Sequence, residues 1–201
     1  MNKKLKKEFY IQDNLTVAKL LLGKIFVYNN PITKKILSGK IVEVEAYDGN
    51  LDEAAHTYIG KTERNKIMFN EGGFLYVYFI YGIHFCANIV TGNKNHGTAV
   101  LLRAMEPKEG IKEFSLNKYG RIKISDKEKI NLLNGPAKIC KAFGIDRSFN
   151  STDLTSDKIY LLDAPKIEEK EIIATTRIGI KKSTELPWRF YIKNNRYISK
   201  K

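Results

Sequence analysis

The chain is poor in cysteine and histidine and has no long apolar run. Its two cysteines, Cys86 and Cys140, lie in apolar surroundings and form no C-x-x-C unit, so neither a disulfide framework nor a zinc site is indicated. The longest apolar run, from Phe74 to Tyr81, is too short to span a bilayer, and no apolar signal segment follows the basic N-terminus. These absences predict a cytoplasmic protein that does not enter a membrane.

Acidic residues are scarce relative to basic ones. The 201 residues include 35 Lys and Arg but 22 Asp and Glu, which gives a formal net charge of +13. This excess favours a polyanionic partner such as a nucleic acid, although lysines spread evenly over a solvated surface would give the same composition. The length suits one domain, which we place at 9–195, between a flexible basic leader (1–8) and a basic tail (196–201).

Capping residues, glycines and alternating apolar positions predict short helices and strands along the whole chain. Strands are predicted over 24–28, from Lys40, and over 74–81, 84–91, 98–104, 158–162, 172–180 and 188–192, with Pro107 ending the fifth. Helices are predicted near 14–22, after Ser125 and after Pro136, together with a helical turn over 51–57.

The strands over 74–81 and 84–91 are predicted to form a hairpin around Gly82. A two-residue loop would place Tyr78 opposite Ala87, whereas a three-residue loop over 82–84 would place it opposite Asn88. The loop length therefore decides which side chains share a face.

The strand from Lys40 carries the first candidate for chemistry. Its alternation places Glu45 and Tyr47 on one face, and His56 follows on the predicted turn. A partly buried Glu45 could act as a general base, although strand glutamates usually face water. Alternatively, a metal-dependent hydrolase could use carboxylates and a histidine of this stretch as ligands, but no known ligand spacing completes the set. The residues concerned are Glu43, Glu45, Asp48, Asp52 and His56.

Aromatic residues are dense between Phe74 and Phe85. Tyrosine rings can stack on a nucleobase and attract a cationic one, although aromatic residues on strands most often only pack a sheet. Tyr81 and Ile83 lie at the predicted hairpin tip, where apolar side chains are unusual, so they could form a wedge between base pairs.

Arg103 interrupts the apolar run AVLLRAM and is therefore expected to be buried. A buried guanidinium needs an acidic partner, and the candidates are Glu45 and Glu106. Arg103 could serve only in this ion pair, or it could also position a water molecule or a phosphate.

Several sequence words, read in order, resemble one protein family. The words are IVEVEAYDG, DEAAH, MF with GGFLYVYFIYGIHFCANIV, AVLLRAMEP, NGPAKIC, RIGI and PWRFY, and they extend from about Phe9 to Ile192. Together they are similar to the 3-methyladenine (alkyladenine) DNA glycosylases. The resemblance implies an α+β fold, a single mixed domain with a curved, mainly antiparallel sheet and surrounding short helices, and it implies neither a metal nor an organic cofactor.

The resemblance also implies an activity and its residues. The activity is hydrolysis of the N-glycosidic bond of alkylated purines in double-stranded DNA, with Glu45 as the catalytic residue. Arg103 and a backbone carbonyl near Ile178 would help to hold the attacking water. The base would stack on Tyr47, His56 and Tyr78 beside Asn88, which would collide with the 2-amino group of guanine, and Tyr81 would intercalate. Contacts to the DNA backbone are expected from Thr62, Arg64 and Lys138.

We therefore predict a monofunctional DNA glycosylase, acting as a monomer and without a cofactor. The alternatives are a non-catalytic nucleic-acid-binding domain, which would use the same basic surface and aromatic platform, and the metal-dependent hydrolase described above.

Overall fold

A computed structural model describes residues 3–200, which form five α-helices, three short 3-10 helices and eight β-strands. The helices are α1 (Lys7–Tyr10), α2 (Asn14–Leu21), α3 (Ile111–Tyr119), α4 (Asp126–Asn131) and α5 (Pro136–Phe143). The strands are β1 (Ile25–Asn29), β2 (Ile36–Asp48), β3 (Leu75–Ile80), β4 (His84–Thr91), β5 (Thr98–Glu109), β6 (Ile159–Leu162), β7 (Ile172–Thr175) and β8 (Arg189–Ile192). The 3-10 helices are Lys66–Phe69, Arg147–Phe149 and Glu169–Glu171.

The strands form one curved antiparallel sheet, which confirms the predicted α+β fold class. Its main order is β3-β4-β5-β2-β1-β6, and β8 pairs with both β2 and β7. The long strand β2 contacts β5 along one edge and pairs with β1 and then β8 along the other. Register irregularities between β2 and β5 interrupt this pairing at several places. Such irregularities bend a strand and increase its twist, which accounts for the curvature.

Alternation along the central strands separates a packed face from a face that carries polar groups. The packed face includes Val44, Leu75, Ile89 and Leu102, which belong to the main hydrophobic core. Helix α2 packs on β2, and α5 packs on β4 and β5. On the opposite face, the 3-10 helix Lys66–Phe69 helps to form a second, smaller apolar cluster. The helices predicted after Ser125 and after Pro136 are present: Ser125 forms a capping box at the start of α4, and Pro136 begins α5, which ends at Gly144.

The β3–β4 hairpin turns in a register that the sequence did not predict. Ile80 pairs with His84, so three residues turn the chain, but they are 81–83 and not 82–84. Tyr78 therefore lies opposite Cys86, and both predicted partners, Ala87 and Asn88, were wrong. The shift is two residues from Asn88, so Tyr78 and Asn88 still lie on the same face of the sheet.

Two predicted strand ends were also wrong. Strand β5 continues through Pro107, which pairs with Gly39 beside a register irregularity, where a missing N–H group is tolerated. Strand β7 ends at Thr175, well before the predicted Ile180. The chain then leaves the sheet because Arg177 turns inward to an ion pair with Asp52.

Both ends of the described chain contact the sheet. Near the N-terminus, the Leu5 amide donates to the Leu161 carbonyl at 2.8 Å, and the backbones of Lys4 and Leu162 form an isolated antiparallel β-bridge. Near the C-terminus, the Ser199 amide donates to Glu43 at 2.5 Å. The outermost residues of the expected leader and tail, 1–2 and 201, lie outside the described residues. Within 3–200, no helix has the length and apolar character needed to cross a membrane.

Candidate active site

A cavity of about 600 Å³ opens on the polar face of the sheet, within the range of small-molecule sites. Strands β3, β4 and β5, the turn after β2, the start of α5 and the loop after β7 form its walls. The lining residues are Tyr47, Glu53, Ala54, His56, Met68, Tyr76, Tyr78, Ile80, Tyr81, His84, Cys86, Asn88, Leu101, Arg103, Pro136, Ala137, Ile178, Gly179, Ile180, Lys181 and Lys182.

Glu45 is fully buried behind the cavity wall and does not itself line the cavity, but three residues that contact it, Tyr47, Arg103 and Ile178, do. Its Oε2 accepts a hydrogen bond from the Tyr47 hydroxyl at 2.9 Å, and its Oε1 accepts one from the Ile178 amide at 2.7 Å. Nη1 of Arg103 lies 3.2 Å from the same Oε1. Each of these contacts favours the charged form of a carboxylate, and together they hold it in one orientation.

Arg103 is buried, as predicted, and links Glu45 to a second buried carboxylate, Glu43. Its Nε donates to Glu43 at 3.3 Å, and Arg189 donates to the same oxygen at 2.7 Å. The predicted partner Glu106 was wrong, because that side chain pairs with Lys108 at 2.7 Å. Glu43 replaces it because the β2–β5 register places Glu43 opposite Ala104, next to Arg103.

Aromatic side chains form one wall of the cavity. The rings of His56 and Tyr78 meet edge to face at 4.5 Å, and those of Tyr76 and Tyr78 stack at 5.4 Å. Nδ1 of His56 lies 3.0 Å from the Tyr76 hydroxyl. His56 reaches this position on irregular turns, not on the predicted helical turn, and these turns are closed by backbone bonds such as Ala55 to Asp52.

The titratable side chains on the aromatic side of the cavity are uncharged at neutral pH, whereas Glu53, Arg103, Lys181 and Lys182 line other parts of it. Burial, together with the nearby Arg64, lowers the pKa of His56 to about 4, so its imidazole is neutral. Burial raises the pKa of the Cys86 thiol to about 11. Burial is also the main cause that raises the pKa values of Tyr47 and Tyr78, whose hydroxyls therefore remain protonated donors.

Asn88 and Ile178 both line the cavity. Asn88 is buried opposite Tyr76 and donates a hydrogen bond to the Tyr76 carbonyl at 3.3 Å. Ile178 follows Arg177 on the loop after β7, and its backbone amide, not its carbonyl, contacts Glu45. The predicted role of a nearby carbonyl in holding water remains a prediction.

The hairpin tip projects from the rim of the cavity. Tyr81 and Ile83 are 79% and 72% exposed, which is unusual for residues of this size. Tyr81 has φ +53°, a left-handed conformation that strains a bulky residue, and Gly82 follows with φ +69°. An exposed aromatic side chain held in a strained turn is often part of a functional site.

The residues expected to contact a DNA backbone lie outside the cavity lining. The Thr62 amide donates to Asn65 at 2.6 Å, and Arg64 donates to the Phe79 carbonyl at 3.3 Å. Lys138 donates to Asn134 at 2.7 Å near the start of α5. Arg64 and Thr62 are exposed, and Lys138 is partly exposed.

Three of the four carboxylates considered as metal ligands contact arginines, and the fourth, Asp48, accepts a hydrogen bond from the Asn50 amide at 2.9 Å. Glu43 contacts Arg103 and Arg189, Glu45 contacts Arg103, and Asp52 contacts Arg177. Among residues 3–200, no three His, Cys, Asp or Glu side chains converge as a metal site would require. The geometry of these side chains therefore argues against the hypothesis of a metal-dependent hydrolase.

Several residues of the site were not predicted from the sequence. The sequence pattern suggested Asp52 as a metal ligand and gave Arg177 no role, yet the two form a buried ion pair beside Tyr47. Arg177 lies in the β-rich stretch IIATTRIGI, so its position resembles that of Arg103 and is the sequence feature that indicates its burial. Other residues that line the cavity without a role predicted from the sequence include Tyr76, Cys86, Met68, Pro136 and Ala137.

An aromatic cavity above a buried, firmly hydrogen-bonded carboxylate is the arrangement of an enzyme that accepts a flat ring and stabilises developing positive charge. The sequence comparisons identify which enzymes these are. A sequence model described as "Methylpurine-DNA glycosylase (MPG)" matches residues 8–196. The chain therefore belongs to the methylpurine-DNA glycosylase family, as the resemblance predicted, and is a DNA glycosylase, a hydrolase of N-glycosyl bonds.

Curated relatives match this chain over nearly its full length. A protein of Clostridium novyi (strain NT) is 51% identical over 205 residues, covering 99% of this chain and 100% of its own length. A protein of Carboxydothermus hydrogenoformans is 47% identical over 200 residues, covering 98% of this chain and 99% of its own. Both carry the name "Putative 3-methyladenine DNA glycosylase".

Proposed function

We propose that this protein removes 3-methyladenine and related alkylated purines from double-stranded DNA, through a single domain at about residues 9–195. The enzyme is monofunctional: water is the nucleophile, the product is an abasic site, and strand cleavage is left to other enzymes. The observation that carries this proposal is Glu45, held by Tyr47, Arg103 and Ile178 at the edge of an aromatic cavity.

The character of the cavity wall suits an alkylated base. Such a base is cationic, and aromatic faces attract cations through their ring quadrupole. His56, Tyr78 and Cys86 are uncharged at neutral pH and so do not repel it. We propose that Tyr47, His56 and Tyr78 stack on the base, and that Asn88 disfavours guanine-type lesions by collision with their 2-amino group.

Glu45 is proposed to stabilise the oxocarbenium character that develops on the sugar and to accept a proton from water. A carboxylate offers about four acceptor positions, two on each oxygen. Ile178 and Arg103 both contact Oε1, whereas the Tyr47 hydroxyl is the one donor to Oε2 among residues 3–200. The open position is therefore on Oε2, and we place the attacking water there, beside Tyr47. Because the leaving base is already cationic, no strong general acid is needed.

Access to the base requires that the nucleotide leave the duplex. We propose that Tyr81, supported by Ile83, fills the gap, and that Thr62, Arg64 and Lys138 contact the phosphate backbone. The exposed tip beside the cavity supports this assignment. The protein is proposed to act as a monomer, with no cofactor, in the cytoplasm with its DNA substrate.

The test is release of free 3-methyladenine from methylated duplex DNA in the presence of EDTA. We expect release from the wild-type protein and a loss of at least about 100-fold in Glu45→Gln, since an electrostatic catalyst of this kind contributes on that scale. Glu106→Gln is the matched control, because Glu106 is a glutamate of the same sheet that pairs with Lys108 and does not line the cavity. Binding without release would instead identify a non-catalytic DNA-binding domain, and loss of release in EDTA would identify a metal-dependent hydrolase.

A further inference from the structure

Arg177 and Asp52 form a buried ion pair directly behind the proposed catalytic group. Both side chains are completely inaccessible to solvent. Both Nη atoms of Arg177 contact the carboxylate, with Nη2 at 2.8 Å from Oδ1, so the pair is bidentate. Bidentate arginine–carboxylate pairs define orientation as well as distance.

Further contacts of Arg177 reach the strand that bears Glu45 and the loop after β7, both beside the cavity. Its Nη1 donates to the carbonyl of Ala46 at 3.0 Å, between Glu45 and Tyr47 in the chain, and its Nη2 donates to the carbonyl of Ser183 at 3.2 Å. Its guanidinium lies 4.6 Å from the centre of the Tyr47 ring. The next residue, Ile178, donates its amide to Glu45.

Asp52 links the same pair to the turn that carries His56. Its Oδ1 also accepts a hydrogen bond from the amide of Ala54 at 2.9 Å, and Ala54 and His56 both line the cavity. One ion pair thus fixes the turn after β2, the loop after β7, and the strand that bears Glu45.

Stability alone does not account for this pair. Nε of Arg177 is buried and finds no acceptor among residues 3–200. Buried ion pairs are often no more stabilising than apolar side chains of the same size, and an unpaired buried donor makes the balance worse. Burial lowers the pKa of Arg177, but the hydrogen bonds and charge of Asp52 outweigh it, and the net effect raises the pKa. The guanidinium therefore stays charged, and the pair stays intact.

We propose that Asp52 and Arg177 are positioning residues of the glycosylase reaction. They hold the Ile178 amide on Oε1 of Glu45 and the Tyr47 hydroxyl on Oε2, and so leave one defined acceptor position for water. This inference rests on the proposed function, since it assigns these residues to base release by Glu45.

Two conservative variants test this role. Arg177→Lys keeps the positive charge but loses the bidentate geometry, and Asp52→Asn keeps the shape but loses the charge. The control is Lys24→Met, which removes another buried cation that donates to Asp163 and to the Ala164 carbonyl at 2.6 Å each, on the far edge of the sheet. For each protein we would measure the single-turnover rate of base release, the affinity for undamaged duplex and the thermal midpoint.

We expect both variants to release base about 10- to 100-fold more slowly than the wild type, because small misplacements of a reacting group reduce rates on this scale. Their affinity for undamaged duplex should change less than threefold, and Lys24→Met should lower the thermal midpoint without slowing release. Folded variants that release base within twofold of the wild-type rate would overturn the proposal, as would equal slowing in Lys24→Met.

A second readout does not depend on activity. In NMR spectra of ¹⁵N-labelled protein, the amide proton of Ile178 should resonate far downfield and exchange slowly with solvent in the wild type. Its resonance should move upfield in Arg177→Lys. If the wild type released no base while this signal behaved as described, the proposed function would fail and the positioning of Glu45 would stand. Fast exchange of this amide in the wild type would overturn the positioning role, even if neither variant folded.

Discussion

Replacement of Glu43 by glutamine should destabilise the protein more than any substitution of a surface charge. Glu43 is fully buried and accepts hydrogen bonds from Arg189 at 2.7 Å, from Arg103 at 3.3 Å and from the amide and hydroxyl of Ser199 at 2.5 and 2.8 Å. With Glu45, it gives a buried group of two carboxylates and two guanidiniums. Glu43→Gln leaves this group with one uncompensated positive charge.

The expected loss of unfolding free energy follows from this uncompensated positive charge. Removing one partner of a buried ion pair costs about 3–5 kcal/mol, because the remaining charge is left without a counter-ion in a medium of low dielectric. For a chain of this size, each kcal/mol lowers the thermal midpoint by about 2–4 °C, so we expect a decrease of about 6–20 °C. Urea unfolding at pH 7, with the same slope for both proteins, would measure the free energy directly.

The control is Glu168→Gln, because Glu168 is exposed and pairs with Lys170 at 2.7 Å. An exposed pair contributes at most about 1 kcal/mol. If Glu43→Gln lost less than about 1 kcal/mol of unfolding free energy, Glu43 would not carry the charge balance of this group, and the argument would be refuted.

Three further predictions concern the cavity and its rim. The pKa of His56 falls from its ordinary 6.5 to about 4 in the folded protein. Between these two pH values, the unfolded chain therefore binds a proton at His56 that the folded protein does not bind. Stability should therefore be complete above about pH 7 and decrease as the pH falls; between pH 7 and 5 the wild type should lose about 2 kcal/mol more unfolding free energy than His56→Gln. Tyr81→Ala should slow base release from duplex DNA at least about 10-fold more than from single strands, because only a duplex leaves a gap to fill; equal slowing on both would exclude the wedge. Asn88→Ser should raise the rate on 7-methylguanine relative to 3-methyladenine in competition, and an unchanged ratio would show that Asn88 does not discriminate between them.

Local pattern was sufficient for part of the site. The alternation on β2 placed Glu45 and Tyr47 on one face, and their hydrogen bond at 2.9 Å is a direct consequence. The burial of Arg103 followed from its apolar neighbours in the sequence. These features depend on residues a few positions apart.

Features that depend on pairing between distant segments were not predictable in the same way. Of the two predicted partners of Arg103, Glu45 was correct and Glu106 was wrong, because irregularities in the β2–β5 register place Glu43 beside the arginine instead. The hairpin register was mistaken because the sequence does not show that Tyr81 adopts a left-handed conformation and so begins the loop. The Arg177–Asp52 pair joins residues 125 positions apart, across a strand end that the β pattern did not indicate.

The conformation of Tyr81 implies that the hairpin tip is less stable than its sequence could make it, in return for an exposed aromatic side chain. Positive φ at two successive residues is the geometry of the turn that Asn-Gly adopts most readily, and this chain places Tyr-Gly there. A left-handed conformation costs a residue such as tyrosine about 1–2 kcal/mol, which asparagine largely avoids. The free protein would therefore fold more stably with asparagine at this position. Selection for thermal stability alone would thus be expected to remove the aromatic tip, and a stabilised variant that retains Tyr81 must gain its stability elsewhere.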